Sequence, residues 1–89
     1  MDLQLNGKRA LITGSTAGIG FAIAKVLAEE GAQVIVNGRT DDRVIDAQRR
    51  IAAKVPNAQI EGIAADLSTS EGASKVIKAF PEVDILIKK

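Results

Sequence analysis

Between Lys8 and Ile87 the apolar residues alternate between short continuous runs and stripes at helical spacing, and this alternation restricts the fold more than any single motif. The runs lie at 8–13 (KRALIT), 33–37 (QVIVN), 58–64 (AQIEGIA, weakened by the interior Gly62) and 83–87 (VDILI), each of strand length. Between them Ile19, Ala22, Ile23, Val26 and Leu27, then Val44, Ala47, Ile51, Ala52 and Val55, then Ala73, Val76, Ile77 and Phe80 recur with the period of amphipathic helices. Gly31 stands where a left-handed C-terminal cap is wanted, Pro56 and Pro81 close the second and third helices, and Ser68 and Glu71 have the S-x-x-E spacing of a capping box. A β-α-β-α-β-α-β order with short connections dictates a parallel sheet with helices on its faces, joined by right-handed crossovers. Its strands are apolar at consecutive positions because both faces are covered.

Chain length keeps this to one domain over 1–89: 89 residues with 46% hydrophobic content supply one modest core. Twelve Lys and Arg against eleven Asp and Glu leave a net charge of +1, with no electrostatic footprint for nucleic acid or an anionic membrane. The chain has no Cys and no His, which removes disulfides, thiolate metal sites and imidazole acid–base chemistry, so no metal site is expected. Neither a basic start with a signal-length apolar run nor a membrane-length stretch is present, and a cytoplasmic, membrane-free protein is the expectation.

The chemistry-bearing stretch is TGSTAGIG at 13–20. Glycines between a first strand and a first helix let the backbone approach a pyrophosphate, while the helix N-terminus offers unpaired N–H groups and a partial positive charge. Gly14, Gly18 and Gly20 are the candidates. Their spacing is G-x-x-x-G-x-G and no Lys-Ser or Lys-Thr follows, which excludes a P-loop. The bland alternative is a merely tight turn; the strand before and the helix after favour a dinucleotide site.

TGSTAGIG at 13–20, NGR at 37–39, DL at 66–67 and VDILI at 83–87, in this order and at these separations, resemble the short-chain dehydrogenase/reductase family. The resemblance runs to Ile87 and is specific because four motifs stand in register. It implies an α/β, three-layer Rossmann-like half-fold: a parallel four-stranded sheet of order 3-2-1-4 with helices on both faces. It further implies that Gly14, Gly18 and Gly20 bind the cofactor, joined by Ser15 and Thr16 of the same turn and by a backbone contact from Ile19. Asp66 would lie beside the adenine, with Leu67 after it. From the residues alone Asp66 reads equally as a carboxylate in a helix N-terminal turn, since Ser68 caps just after it.

Cofactor choice rests on the end of the second strand. An acidic side chain there would hydrogen-bond the ribose hydroxyls of NAD; Gly38 stands there instead, followed by Arg39, which suits a 2′-phosphate. NADP(H) is expected and NAD less so. Asp41 and Asp42 come too late for the NAD role and are expected to cap the second helix. The alternative for Arg39 is a solvated loop cation.

The same resemblance marks departures. In the family the fourth strand continues into N-N-A-G, where Lys88 and Lys89 stand here, and a catalytic Ser and a Tyr-x-x-x-Lys pair lie farther on, whereas this chain has no Tyr. No catalytic residue is assigned. The expectation is the N-terminal portion of such an oxidoreductase, inactive alone and holding the adenine side of NADP(H) weakly. One alternative is a minimal or engineered structural module without useful affinity; another is an enzyme active only with a partner chain that supplies Ser, Tyr and Lys. The outer edge of the strand at 83–87 is expected to be unpaired, blunted by the lysine pair, and to self-associate with a second copy.

Overall fold

The computed structural model describes residues 5–87, so the lysine pair expected to blunt the last strand lies outside the described residues. The elements follow the alternation of the sequence: β1 Arg9–Ile12, α1 Gly18–Glu29, β2 Gln33–Gly38, α2 Asp41–Lys54, β3 Gln59–Ala64, α3 Ser70–Ala79 and β4 Ile85–Ile87. The four strands form one parallel sheet in the expected order β3-β2-β1-β4.

Successive side chains of a strand point to opposite faces, and the core divides accordingly. Ala10, Ile12, Val34 and Val36 meet Ala24, Leu27 and Ala28 of α1 and Ala47 and Ile51 of α2 on one face. Leu11, Ile35 and Ile63 pack against Val76 of α3 on the other, with Leu67, Phe80 and Val83 at the margin. Three layers result, with two helices above the sheet and one below.

Two apolar stripes differ from expectation. α1 buries Gly20, Ala24, Leu27 and Ala28, so of the expected stripe only Leu27 is fully in the core; Ile23 packs at its margin, while Ile19 and Val26 are 72% and 43% exposed. The helix lies close to the sheet, and close approach selects Gly and Ala for the inner face at the same helical period. On α3 the expected inward residue Ile77 is 66% exposed: this helix meets the sheet face through Val76, while Gly72 packs on the Asp66 backbone of the preceding connection.

The helix ends also differ in detail. Gly31, at φ 92°, closes α1 as expected, donating its N–H to Ala28 O at 3.1 Å. α2 is capped by Thr40, whose Oγ1 accepts from Arg43 N, and Asp41 and Asp42 occupy its first turn without being the cap. α3 is capped by Thr69 and not by Ser68: Thr69 Oγ1 accepts from Gly72 N at 3.0 Å. The difference arises because Ser68 is already engaged by Asp66.

Candidate functional site

The carboxyl ends of β1, β2 and β3 open into one cleft of about 420 Å³. Thr13, Gly14, Thr16 and Ala17 line it after β1, Asn37, Gly38 and Arg39 at the end of β2, Arg43 from the first turn of α2, and Ala65, Asp66, Leu67 and Ser68 after β3. Of the residues singled out in the sequence, Gly14, Thr16, Arg39, Asp66 and Leu67 are thus brought together. Ser15, Gly18, Ile19 and Gly20 do not line the cleft; Ser15 and Gly20 are buried behind its wall, and Gly18 and Ile19 form the exposed start of α1.

The turn depends on its glycines. Gly14 and Gly18 have φ of 58° and 61°, in the left-handed region that side chains disfavour. A Cβ on Gly20 would stand 2.6 Å from Gly14 O, so its absence lets α1 start directly against the turn. That start is chemically distinctive. Ala17 is the N-cap, it offers no side-chain hydrogen bond, and no acidic residue occupies the first turn, whereas α2 has Thr40, Asp41 and Asp42 and α3 has Thr69 and Glu71. The first-turn N–H groups and the positive end of the helix dipole therefore remain for an anion.

Asn37 fixes the turn relative to the rest of the cleft. Its side chain is buried, with Oδ1 accepting from Gly14 N at 3.3 Å and Nδ2 donating to Ile63 O and Ala65 O, both at 3.3 Å. Ser15 is fully buried beside it: Asn37 N donates to Ser15 Oγ at 2.9 Å. The Ser15 hydroxyl is therefore committed to the scaffold. One amide joins the connections after β1 and β3 across the end of β2.

Asp66 sits at the rim of the third connection. Its Oδ1 accepts from Ser68 Oγ at 2.6 Å and from Ser68 N at 3.0 Å. These two bonds hold the carboxyl below its ordinary value against an opposing effect of burial, and the Arg39 charge adds the smallest contribution. Asp66 thus lines the cleft as a loop carboxylate ahead of the Thr69 cap, outside the first turn of α3, where Glu71 is the acidic residue. Arg39 and Arg43 hold no ion pair among the described residues. Arg43 was not apparent as a site residue; its signal was the Thr40 cap three residues earlier, which fixes it in the first helical turn at the end of β2. Asn37 stands out in the sequence only as part of NGR, since nothing local tells that its amide joins the connections after β1 and β3.

A parallel sheet with a glycine turn, a bare helix N-terminus and a cleft at the carboxyl ends of its strands defines a Rossmann-type α/β domain. The chain belongs to the short chain dehydrogenase family, whose model matches residues 8–89. It is 49% identical to the uncharacterized oxidoreductase YvaG of Bacillus subtilis over 98% of this chain and 33% of that protein. It is 38% identical to the 3-oxoacyl-[acyl-carrier-protein] reductase FabG of Aquifex aeolicus, over 98% of this chain and 34% of that protein. The solved RhlG/NADP active-site complex of Pseudomonas aeruginosa superposes with a TM-score of 0.86 at 35% identity, covering 96% of this chain and 35% of that one. L-sorbose reductase of Gluconobacter frateurii, complexed with NADPH and L-sorbose, does so at 0.83 and 39% identity, over 97% of this chain and 34% of that one. The chain spans about a third of the length of these relatives.

Proposed function

We propose that this chain is the NADP(H)-binding N-terminal portion of a short-chain oxidoreductase and that it grips the adenine side of the cofactor. The observation that carries this reading is that the bare N-terminus of α1 borders the same cleft as two guanidinium groups, Arg39 and Arg43. The residues fit the group in kind. The α1 start takes the diphosphate, because its N–H groups and dipole favour an anion. Arg39, seconded by Arg43, takes the 2′-phosphate, for which a planar fork of donors is suited. Gly38 presents no carboxylate to repel that phosphate, and Asp66 and Leu67 flank the adenine. When bound, the nicotinamide cofactor supplies or accepts a hydride; the residues of this chain bind and orient it. Complexes of two structural relatives with NADP or NADPH support the same preference.

Binding by the 89-residue chain is weak, because the nicotinamide half finds no partner among the residues assigned here. A dissociation constant on the order of 0.1 to several mM is expected. Calorimetric titration with NADP⁺, NADPH and 2′-phospho-AMP, beside NAD⁺ and the Arg39→Ala variant, tests the reading. The three phosphorylated ligands should bind at similar strength, NAD⁺ more weakly, and Arg39→Ala should erase the difference. Equal affinity for NADP⁺ and NAD⁺ in the unaltered chain, or tight binding that requires the nicotinamide, contradicts it. With no Trp and no Tyr, NADPH fluorescence is read almost without protein background.

A further inference from the structure

Gly38 is a glycine for want of space and not for its backbone conformation. It ends β2 paired with Ala64, its φ lies outside the left-handed region, and its carbonyl accepts from Ala65 N at 2.9 Å. The backbone here would accept any residue and is held on the β3 side by the ladder. What excludes a side chain is the neighbourhood: a Cβ at position 38 would stand 2.5 Å from Thr16 Cγ2, 3.2 Å from Val44 Cγ2 and 3.5 Å from Thr16 Oγ1. Val44, on the buried face of α2, is 4% exposed, and Thr16, on the cleft wall, holds the nearest atom. Its β-branch leaves few staggered alternatives for moving the methyl aside.

We propose that Thr16 is a specificity-determining residue, which keeps the end of β2 bare by filling the space beside Gly38 and so reserves the cleft for a nucleotide carrying a 2′-phosphate. This rests on the NADP(H) reading above and deepens it. A carboxylate at the end of β2 is what would hydrogen-bond the unphosphorylated ribose and repel the phosphate. With the Thr16 methyl in place, a carboxylate on residue 38 is displaced from that position. Selectivity then has two parts in this chain, an attraction at Arg39 and an exclusion at Thr16.

The test compares NADP⁺ and NAD⁺ affinities of the chain, Thr16→Ser, Gly38→Asp and the double variant; serine removes the methyl and keeps the hydroxyl. Thr16→Ser, which alters the cleft wall itself, sets the baseline from which the double variant is read. Gly38→Asp should lose NADP⁺ by about tenfold or more without gaining NAD⁺, and the double variant should gain NAD⁺ by about tenfold and reverse the preference. A full switch in Gly38→Asp alone, or no gain in the double variant, overturns the role of Thr16 while leaving the NADP(H) reading intact. A chain that never distinguishes the two nucleotides sinks that reading and this inference with it. Thermal unfolding provides a ligand-free check: Gly38→Ala should lower the melting temperature and Thr16→Ser/Gly38→Ala should recover most of the loss. Equal losses in the two would overturn the steric coupling.

Discussion

Ser15 and Asn37 exchange backbone and side-chain hydrogen bonds across the cleft floor: Ser15 N donates to Asn37 O at 2.9 Å, and Asn37 N donates to Ser15 Oγ at 2.9 Å. Both residues are buried, so neither partner is replaced by water when one is removed. Ser15→Ala should therefore cost about 1–3 kcal/mol, the desolvation of an unpaired Asn37 N–H. Asn37→Asp should cost at least as much, because it replaces the donor to Ile63 O and Ala65 O by a carboxylate facing two carbonyls. Urea unfolding measures both, and a loss below about 0.5 kcal/mol in either would show that the pair does not hold the turn.

Gly20→Ala should loosen the start of α1. The added methyl would lie 2.6 Å from Gly14 O, a backbone atom that cannot rotate away, so the helix must lift from the turn. A destabilisation of roughly 1–3 kcal/mol is expected, although alanine is the better helix former. Nucleotide affinity should fall with it. A stabilised variant with unchanged binding refutes the close-approach account.

Asp66 sets a pH dependence with a definite sign. Its folded value is lowered from the ordinary 3.8, chiefly by the Ser68 hydroxyl and then by the Ser68 N–H. Its contribution to the β3–α3 connection is therefore fully present above the ordinary carboxylate value and is lost as pH falls through the lowered folded value. Carbon-13 NMR titration of the side chain should find its midpoint below 3.8, and Ser68→Ala should move that midpoint upward. An unshifted midpoint in the unaltered chain would contradict the Asp66–Ser68 hydrogen bonds.

We propose that the 89-residue chain self-associates through the outer edge of β4, antiparallel to a second copy. Among the described residues β4 pairs only with β1, and Leu86 and Ile77, which border one groove, are 54% and 66% exposed. Burying about 500 Å² of apolar surface contributes roughly 12 kcal/mol before the cost of association. Leu86→Lys should shift the chain toward monomer in sedimentation, by charge and lost area together. A stable monomer of the unaltered chain at high micromolar concentration opposes the idea.

Turnover is expected to be absent from this chain alone. It has no Tyr, the residue that the family resemblance implies as proton donor during hydride transfer. Carbonyl reduction or alcohol oxidation above background, in a sample proven free of host reductases, would falsify this.

The order of elements, the parallel sheet and the place of the glycine turn are legible in the amino-acid sequence. These follow from apolar period, from Gly and Pro punctuation and from connection length, all of which are local or nearly so. Which side of α1 is buried emerges only on packing, because Ile19, Ile23 and Val26 have the same helical period as Gly20, Ala24 and Ala28, and it is the sheet that selects the smaller set. The choice of Thr69 and not Ser68 as the cap of α3 emerges in the fold as well, since the Ser68 hydroxyl is captured two residues back by Asp66. The Asn37 amide reaches Gly14 across 23 positions and Ala65 across 28, and Thr16 reaches the space beside Gly38 from the other side of the same turn. No local pattern encodes such contacts, because they exist only once β1, β2 and β3 lie side by side and carry the ends of three separate segments to one cleft.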